Sequence, residues 1–448
     1  MANEQRRRGF CPRVWTPMES GDGLLVRVHA ATRWFEARQI EQLAQLAREH
    51  GNGLMEVTRR ANLQLRGVRP GSLSALQRGL VALGFAADSP EGERRFALHA
   101  TPWLGLDPAC AALAPLLDQL ERLLDVPQGD TAIHPKLAIT LSGPRDELGA
   151  LGADLAVALD PHKPAHARLL VALAPGARHE LGLCALDEVA AWVAGWLERL
   201  AEAPAAAAAD WQGQRMHTWI ARHGLDALAR HAPPSLVPAQ AANAPLPRTH
   251  AADAAAWLGF HADHTPWFGV LLPFGAGDPA QWSALTALCA HHGDGNLRTH
   301  PGRGLLLRGV RADRAEELAA ALAQGGVCVR PDQPLTRVVA CAGAPACGSA
   351  HGETRQLARG LAELVRDRLV RGASLHVSGC EKSCARSGAA ELVVVHGPDG
   401  AHLAFDRSAA EAAHTPARTL AQLRAALSAN NAECATSAPY LAPEPDVP

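Results

Sequence analysis

His50-Gly51-Asn52-Gly53-Leu54-Met55-Glu56-Val57-Thr58-Arg59-Arg60-Ala61-Asn62-Leu63-Gln64-Leu65-Arg66-Gly67-Val68 decides the fold, because the chain repeats it. Laid over His292-Gly293-Asp294-Gly295 through Leu307-Arg308-Gly309-Val310, it matches at a constant offset of 242 residues. Such self-similarity means that one supersecondary unit was built twice. Each copy is preceded by an amphipathic helix, expected over 36–50 and 278–291, and stopped by a glycine. Two short strands and a second helix follow, the helices expected over 72–83 and 312–322. With a strand in front, at 24–28 or 270–272, each copy reads as β-α-β-β-α, most of a ferredoxin-like unit.

Four cysteines near the C-terminus carry the chemistry. Cys341 and Cys347 are spaced C-x5-C; after 32 residues, Cys380 and Cys384 are spaced C-x3-C. Both pairs stand in small-residue loops, Ala-Cys-Ala-Gly-Ala-Pro-Ala-Cys-Gly and Gly-Cys-Glu-Lys-Ser-Cys-Ala. Four thiolates are the ligand set of a [4Fe–4S] cluster. Zinc takes four thiolates too, but its structural sites favour tighter pairs. Four buried or disulfide-bonded cysteines are the bland alternative. A strand at 336–340, a helix over 353–370 and a strand at 374–377 form a crossover that brings both pairs to the same strand ends.

This region also has an earlier copy. Leu98 to Gly105 lies over Cys341 to Gly348, with Leu98 and Leu104 where the cysteines stand. Ile139 to Gly143 lies over Leu375 to Gly379, with Pro144 and Leu148 in place of Cys380 and Cys384. One cluster, held by the second half, is expected. The fold class expected is α+β, a pseudo-two-fold arrangement with two ferredoxin-like half-domains and two cluster-type α/β domains. The expected domains are a ferredoxin-like repeat at 10–92 and, at 93–230, a cluster-type domain whose loops lack the ligand cysteines. A linker at 231–249, a second repeat at 250–331, a cluster domain at 332–428 and a frayed tail at 429–448 complete the chain. Ala/Pro-rich stretches at 201–209 and 231–247 mark the joints.

The 448 residues are too many for one ordinary core. A formal net charge of −2 gives no general pull toward nucleic acid or membrane, and neither is expected as a partner. The polar start, 1–9, is no export signal, and no apolar run is long enough to span a bilayer, so a cytoplasmic protein is expected. Of 43 basic residues only Lys136, Lys163 and Lys382 are lysine. Cys11, Cys110, Cys184, Cys289, Cys328 and Cys434 are scattered, which suits a reducing compartment.

Together, the two-fold repeat and C-x5-C…C-x3-C resemble the siroheme sulfite and nitrite reductase superfamily over nearly the whole chain. Arg60-Ala61-Asn62-Leu63-Gln64-Leu65-Arg66-Gly67 resembles its T-R-x-x-[IFL]-Q-x-x-G segment, whose arginine faces the tetrapyrrole and its anion. That match gives Arg60 the role, with Arg59 in the threonine position. Strand alternation would put Arg60, Asn62, Gln64 and Arg66 on one face. Ile133-His134-Pro135-Lys136-Leu137-Ala138 resembles L-P-R-K-F-K, whose two lysines bind the reducible anion; Lys136 matches the first, and Ala138 replaces the second.

Losing that cation argues against six-electron anion reduction. The start, Arg8-Gly9-Phe10-Cys11-Pro12 and Ser20-Gly21-Asp22-Gly23-Leu24-Leu25-Val26-Arg27, resembles the precorrin-3B synthase family. The resemblance implies a monooxygenase of aerobic cobalamin biosynthesis, acting on precorrin-3A with O2 and NADH. It would hydroxylate C20 and close a γ-lactone, with Arg60 and Lys136 as catalytic candidates. A carboxylate-rich macrocycle suits arginine forks, so Arg27, Arg59, Arg66, Arg303 and Arg308 are the substrate-binding candidates, with Arg298 beside them. Each has a solvated strand-end charge as its alternative reading. Lys382, between two cysteines, either raises the cluster potential or faces solvent.

The family is also associated with a mononuclear non-haem iron, for which His261-Ala262-Asp263-His264 offers two imidazoles and a carboxylate. No dinucleotide fingerprint is evident, so a separate electron-donor reductase, or an NADH site of another kind, is expected. The competing readings are a siroheme-dependent nitrite or sulfite reductase, in which Cys384 would bridge cluster and haem iron, and a non-catalytic electron carrier or zinc-stabilised scaffold.

Overall fold

The computed structural model describes residues 11–93, 96–124, 134, 136–174, 177–201, 215–239, 243–245 and 255–436. The polar arm, the Arg8-Gly9-Phe10 motif, most of the 201–209 linker and the end of the tail lie outside these residues. The chain divides into two compact units, 1–331 and 332–448.

The repeat is legible element by element. The first copy runs β1 (Met18–Ser20), β2 (Gly23–Val28), β3 (Phe35–Glu36), α1 (Ala37–His50), β4 (Met55–Val57), β5 (Leu63–Val68) and α2 (Leu73–Ala82). After it come β6 (Ala97–Ala100), α3 (Leu113–Leu124), β7 (Ala138–Ser142), β8 (Leu155–Leu159), β9 (His166–Ala174), β10 (Ala177–Ala185), α4 (Val189–Ala201), α5 (Met216–His223), β11 (Val237–Pro238) and β12 (Asn243–Pro245). The second copy runs β13 (Gly259–His261), β14 (Trp267–Leu271), β15 (Ala276–Gly277), α6 (Pro279–His292), β16 (Asn296–His300), β17 (Gly304–Arg308) and α7 (Ala315–Gln324). Both ends of α1 and α6, and of α2 and α7, keep the 242-residue offset. The same capping device starts α1 and α6: Gln39 and Gln281 accept from the backbone N–H groups of Glu36 and Asp278, at 3.0 and 3.2 Å.

The two copies share one core rather than owning two. Sheet order is β1-β2-β5-β4-β15 in one and β13-β14-β17-β16-β3 in the other, so each sheet ends on a strand from the other copy. Val26, Leu43, Leu65, Trp282, Leu285 and Leu307 belong to a single buried cluster. Across the seam Ser283 and Thr286 hydroxyls donate to Glu41, at 2.7 and 2.9 Å, and Trp282 Nε1 donates to the Met55 carbonyl.

The intervening domain is a sheet of order β11-β10-β9-β8-β7-β6, with α3, α4 and α5 closing its core. In the second unit come β18 (Val338–Ala340), α8 (Arg355–Leu364), α9 (Arg366–Val370), β19 (Leu375–Ser378), β20 (Ala390–Gly397), β21 (Gly400–Arg407), α10 (Ala409–Ala412), β22 (Ala417–Arg418) and α11 (Leu420–Thr436). Its sheet, β18-β19-β20-β21-β22, repeats the strand senses of β6-β7-β8-β9-β10: two parallel pairings, then two antiparallel. The single helix expected over 353–370 breaks at Val365, which leaves helical backbone (φ −108°, ψ 22°).

Strand register corrects one alignment. Ala100 pairs with Leu141 as Ala340 pairs with Val377, and the next residue's N–H reaches the partner carbonyl in both, from Thr101 and from Cys341. Thr101, three residues beyond Leu98, is therefore the counterpart of Cys341. Matching prolines point to Leu98, but backbone pairing sets equivalence. No helix among the described residues is long and apolar enough to cross a membrane.

Candidate functional site

Within the second unit, β18 and β19 end side by side and deliver the two cysteine loops. Gly343 makes the first turn at φ +70°, and a Cβ there would stand 2.6 Å from Thr354 Oγ1 and 2.7 Å from its nitrogen. That contact exists because the buried Thr354 hydroxyl donates to the Cys341 carbonyl at 2.5 Å. Cys347 N–H donates to the Gly343 carbonyl, and His351 N–H to the Gly379 carbonyl, tying loop to loop. Gly379 N–H donates to Cys341 Sγ at 3.2 Å.

Burial raises the Cys380 thiol, against the Lys382 N–H pointed at it, and Cys341 and Cys347 add to the rise. Cys384, though exposed, is also raised, by partial desolvation and then by the other three thiols. The four sulfurs thus share one electrostatic neighbourhood, with backbone N–H groups aimed at two of them, the donor set and amide pattern of a thiolate-held cluster. Lys382 does not reach into solvent unengaged; its Nζ donates to Ser349 Oγ at 2.8 Å. A cavity of about 610 Å³ beside Cys380 is lined by Lys382, His351, His396, His402 and His414 among others.

Arginines gather in the first unit, though not all that the sequence suggested. Arg60 does not continue the β5 alternation. A tight turn carries it, with Ala61 N–H donating to the Thr58 carbonyl and Ala61 at φ +54°. The strand starts only at Leu63, so Asn62, Gln64 and Arg66 share a buried face without Arg60. Arg60 reaches instead toward the intervening domain, where its Nη2 donates to the Leu151 carbonyl at 3.4 Å. Burial, then the charges of Arg59 and Arg215, push its pKa down to about 10, while Cys11 and Asp154 oppose them. Arg59 is exposed on the same turn. Arg27, also lowered by burial, donates twice to Gln64 Oε1, at 3.2 and 2.8 Å, and Gln64 donates to Glu56.

Arg66 and Arg308, mates under the repeat, each meet a carboxylate of the chain. Arg66 is held by Asp22, Ser20 and Glu56, and Arg308 by Asp294 at 2.7 Å with its guanidinium over Trp34. Both side chains brace their own strand ends. Arg303 sits at the tip of the second hairpin with φ +66°, the counterpart of Ala61. Lys136 is exposed in a turn where its N–H donates to His134 Nδ1 at 2.9 Å. Burial, then Arg215 and Lys136, push His134 down to about 4, which places Lys136 and Arg215 on one patch.

Sequence reasoning missed Arg215 and His99. Asp154, fully buried, accepts from Arg215 at 2.7 Å and from the N–H groups of Ala138 and Met216, so it fastens Arg215 beside Arg60. His99, inside β6, is held near pKa 3 by burial, then by Arg60 and His29, and so is a neutral neighbour of the guanidinium. Neither lies in a recognisable motif; only the tertiary fold brings them together.

The proposed iron ligands are not gathered. His261 stacks on Trp267 at 3.9 Å with the rings 4° from parallel, and His264 stands at a positive φ of 54°. Among the described residues, no three His, Cys, Asp or Glu side chains close on a position for a single metal ion.

The family model for the nitrite/sulfite reductase ferredoxin-like half domain matches residues 16–83 and 261–325, the two repeats. The chain is 31% identical over 410 residues to a precorrin-3B synthase of Sinorhizobium sp., covering 90% of this chain and 84% of that one. It is 29% identical over 143 residues to the chloroplastic ferredoxin–nitrite reductase of Zea mays, 30% of this chain and 25% of that one. The structure of the Mycobacterium tuberculosis NirA protein matches with a TM-score of 0.66 at 20% identity, covering 85% of this chain and 73% of that one, a likeness of fold. On that extended identity, with the paired half-domains beneath it, the chain belongs to the precorrin-3B synthase family.

Proposed function

We propose that the protein converts precorrin-3A to precorrin-3B in aerobic cobalamin biosynthesis, hydroxylating C20 and closing a γ-lactone from a ring-A acetate. The observation that carries this reading is the environment of Arg60. A guanidinium depressed to about 10 by burial and by two neighbouring arginines, with Cys11 and Asp154 opposing them, calls for an anionic partner. A substrate bearing many carboxylates answers that need, because bound carboxylate restores the charge balance in a poorly solvated place. Arg59 and Arg27 would take further carboxylates, and Lys136 and Arg215 the rim. The family relationship with a precorrin-3B synthase supports the same substrate class.

Cys341, Cys347, Cys380 and Cys384 would hold a [4Fe–4S] cluster, which supplies electrons singly. The wide C-x5-C and C-x3-C spacings suit such a cluster better than zinc, whose structural sites favour tighter pairs. Hydroxylation puts one oxygen atom of O2 into the product and releases the other as water, consuming two electrons and two protons. NADH as the ultimate source gives its two electrons together as hydride, so a separate one-electron reductase stands between it and the cluster. In this reading a mononuclear iron, if the enzyme uses one, takes ligands other than the set His261, Asp263 and His264.

Siroheme-dependent reduction of nitrite or sulfite is the alternative. Position 138 weighs against it: Ala138 is fully buried in β7, its N–H bound to Asp154, where no second lysine serves an anion. Anaerobic incubation with precorrin-3A followed by ¹⁸O₂ tests the proposal. Label is expected in the product; oxygen-independent conversion, or six-electron reduction of sulfite, overturns it.

A further inference from the structure

The 242-residue offset makes the two ferredoxin-like sheets comparable position by position, and on one face they have become opposites. In the first copy the face carries Arg27, Asn62 and Gln64, with Arg60 on the adjoining turn. The residues 242 further on are Gly269, Gly304, Leu306 and Gly302. Three polar side chains are thus replaced by three glycines.

Trp257 lies on those glycines. A Cβ on Gly269 would stand 1.8 Å from the Trp257 carbonyl oxygen and 3.0 Å from Cε3. On Gly304 it would stand 2.2 Å from Cη2, and on Gly302 2.8 Å from Cζ2. The indole therefore covers backbone that no other residue type could leave clear. His300 stacks against it at 4.1 Å and 28°, and Trp103 stands 5.6 Å from His300 and 5.0 Å from Trp267. Burial holds His300 near pKa 3, so the seat is uncharged. Trp257 itself is 6% exposed.

Trp15 occupies the matching sequence position in the first copy and goes elsewhere. Its Nε1 donates to the Ala87 carbonyl at 3.0 Å and its N–H to Glu93, away from the sheet face. The same residue type at the same point of the repeat has two destinations, decided by whether arginine, arginine and asparagine or three glycines lie beneath.

We infer that Trp257 is a built-in plug: its indole fills, on the second sheet, the seat corresponding to the cationic face of the first. The two-fold repeated chain then offers one anion-binding face, and the plugged seat is a latent site for a neutral, planar aromatic of indole size. This rests on the repeat geometry alone and stands whatever the substrate of the first face.

Thermal melts of the full chain with Trp257→Gly, titrated with free indole, test it. The variant is expected to melt lower than the parent, and indole to raise its Tm saturably by several degrees while leaving the parent and Trp15→Gly unshifted. No shift in folded Trp257→Gly, or an equal shift in Trp15→Gly, overturns the inference. Should Trp257→Gly fail to fold, 5-fluorotryptophan labelling of Gly302→Ala decides the question. Its methyl would meet the indole at 2.8 and 2.9 Å and His300 Nδ1 at 2.9 Å, so the ¹⁹F resonance assigned to Trp257 (by its loss in Trp257→Phe) is expected to move. An unmoved resonance overturns the plug.

Discussion

Replacing Arg60 with methionine should make the ligand-free protein more stable and the liganded one weaker. Arg60 is charged in the folded state at a cost, because burial and the charges of Arg59 and Arg215 hold its pKa near 10. At about 1.4 kcal/mol per decade, the displacement from an ordinary guanidinium sets an upper bound of ~3 kcal/mol. Solvent around the half-buried side chain reduces that to about 1–2 kcal/mol. Methionine keeps the apolar stem and removes the charge, while the hydrogen bond surrendered to Leu151 is long, at 3.4 Å. A gain of about 1 kcal/mol in urea melts of the apo protein is therefore expected. Against this, losing a desolvated guanidinium–carboxylate pair costs ~2–5 kcal/mol of binding, so the Kd for precorrin-3A should rise at least roughly thirtyfold. Anaerobic fluorescence titration and urea melts on the same preparation measure both. A destabilised Arg60→Met variant with unchanged affinity would refute the reasoning, since it would make the side chain structural.

Further outcomes follow from the thiol loops and the buried strands. Cys380→Ser should lose iron and acid-labile sulfide together, measured on the purified chain, since thiolate ligation is coupled to folding; full iron retention in both Cys347→Ser and Cys380→Ser would contradict the ligand assignment. Ala138→Lys should destabilise the intervening domain by about 3 kcal/mol or more in denaturant melts, because it forces an ammonium into a fully buried strand position. Any gain in sulfite reduction by that variant would favour the siroheme reading. His300, whose pKa falls from 6.5 to about 3 on burial, is neutral in the folded state and takes up a proton when the chain unfolds. Its contribution is complete above pH 6.5 and is lost as pH falls toward 3, by up to ~1.4 kcal/mol per pH unit. Stability should therefore drop less between pH 7 and pH 5 in His300→Gln than in the parent.

The architecture was largely legible in the linear chain because its strongest signals are local. A duplicated glycine-framed hairpin and two cysteine pairs in small-residue loops need no long-range information. What stayed hidden depends on contacts between distant segments. The alternation rule carries Arg60 onto the wrong face because a positive φ at Ala61 resets the register before β5 begins. Arg66 and Arg308 read as ligand-binding arginines in the linear chain, but Asp22 and Asp294 lie against them in the fold. Arg215 is separated from Arg60 by most of a domain in sequence, and Asp154 brings them together. Prolines match Leu98 to Cys341, whereas the strand pairing of Ala100 makes Thr101 the equivalent.

The exchange of β3 and β15 between the two half-sheets bears on how such a chain could have arisen and how it can be cut. Each half carries both the strand it lends and the edge that accepts one, the self-complementary pattern of a domain-swapped homodimer. Gene fusion would turn that intermolecular trade into an intramolecular one, removing its dependence on concentration. A single half expressed alone exposes an open sheet edge and one wall of a shared core, and its route to satisfaction is a second copy of itself.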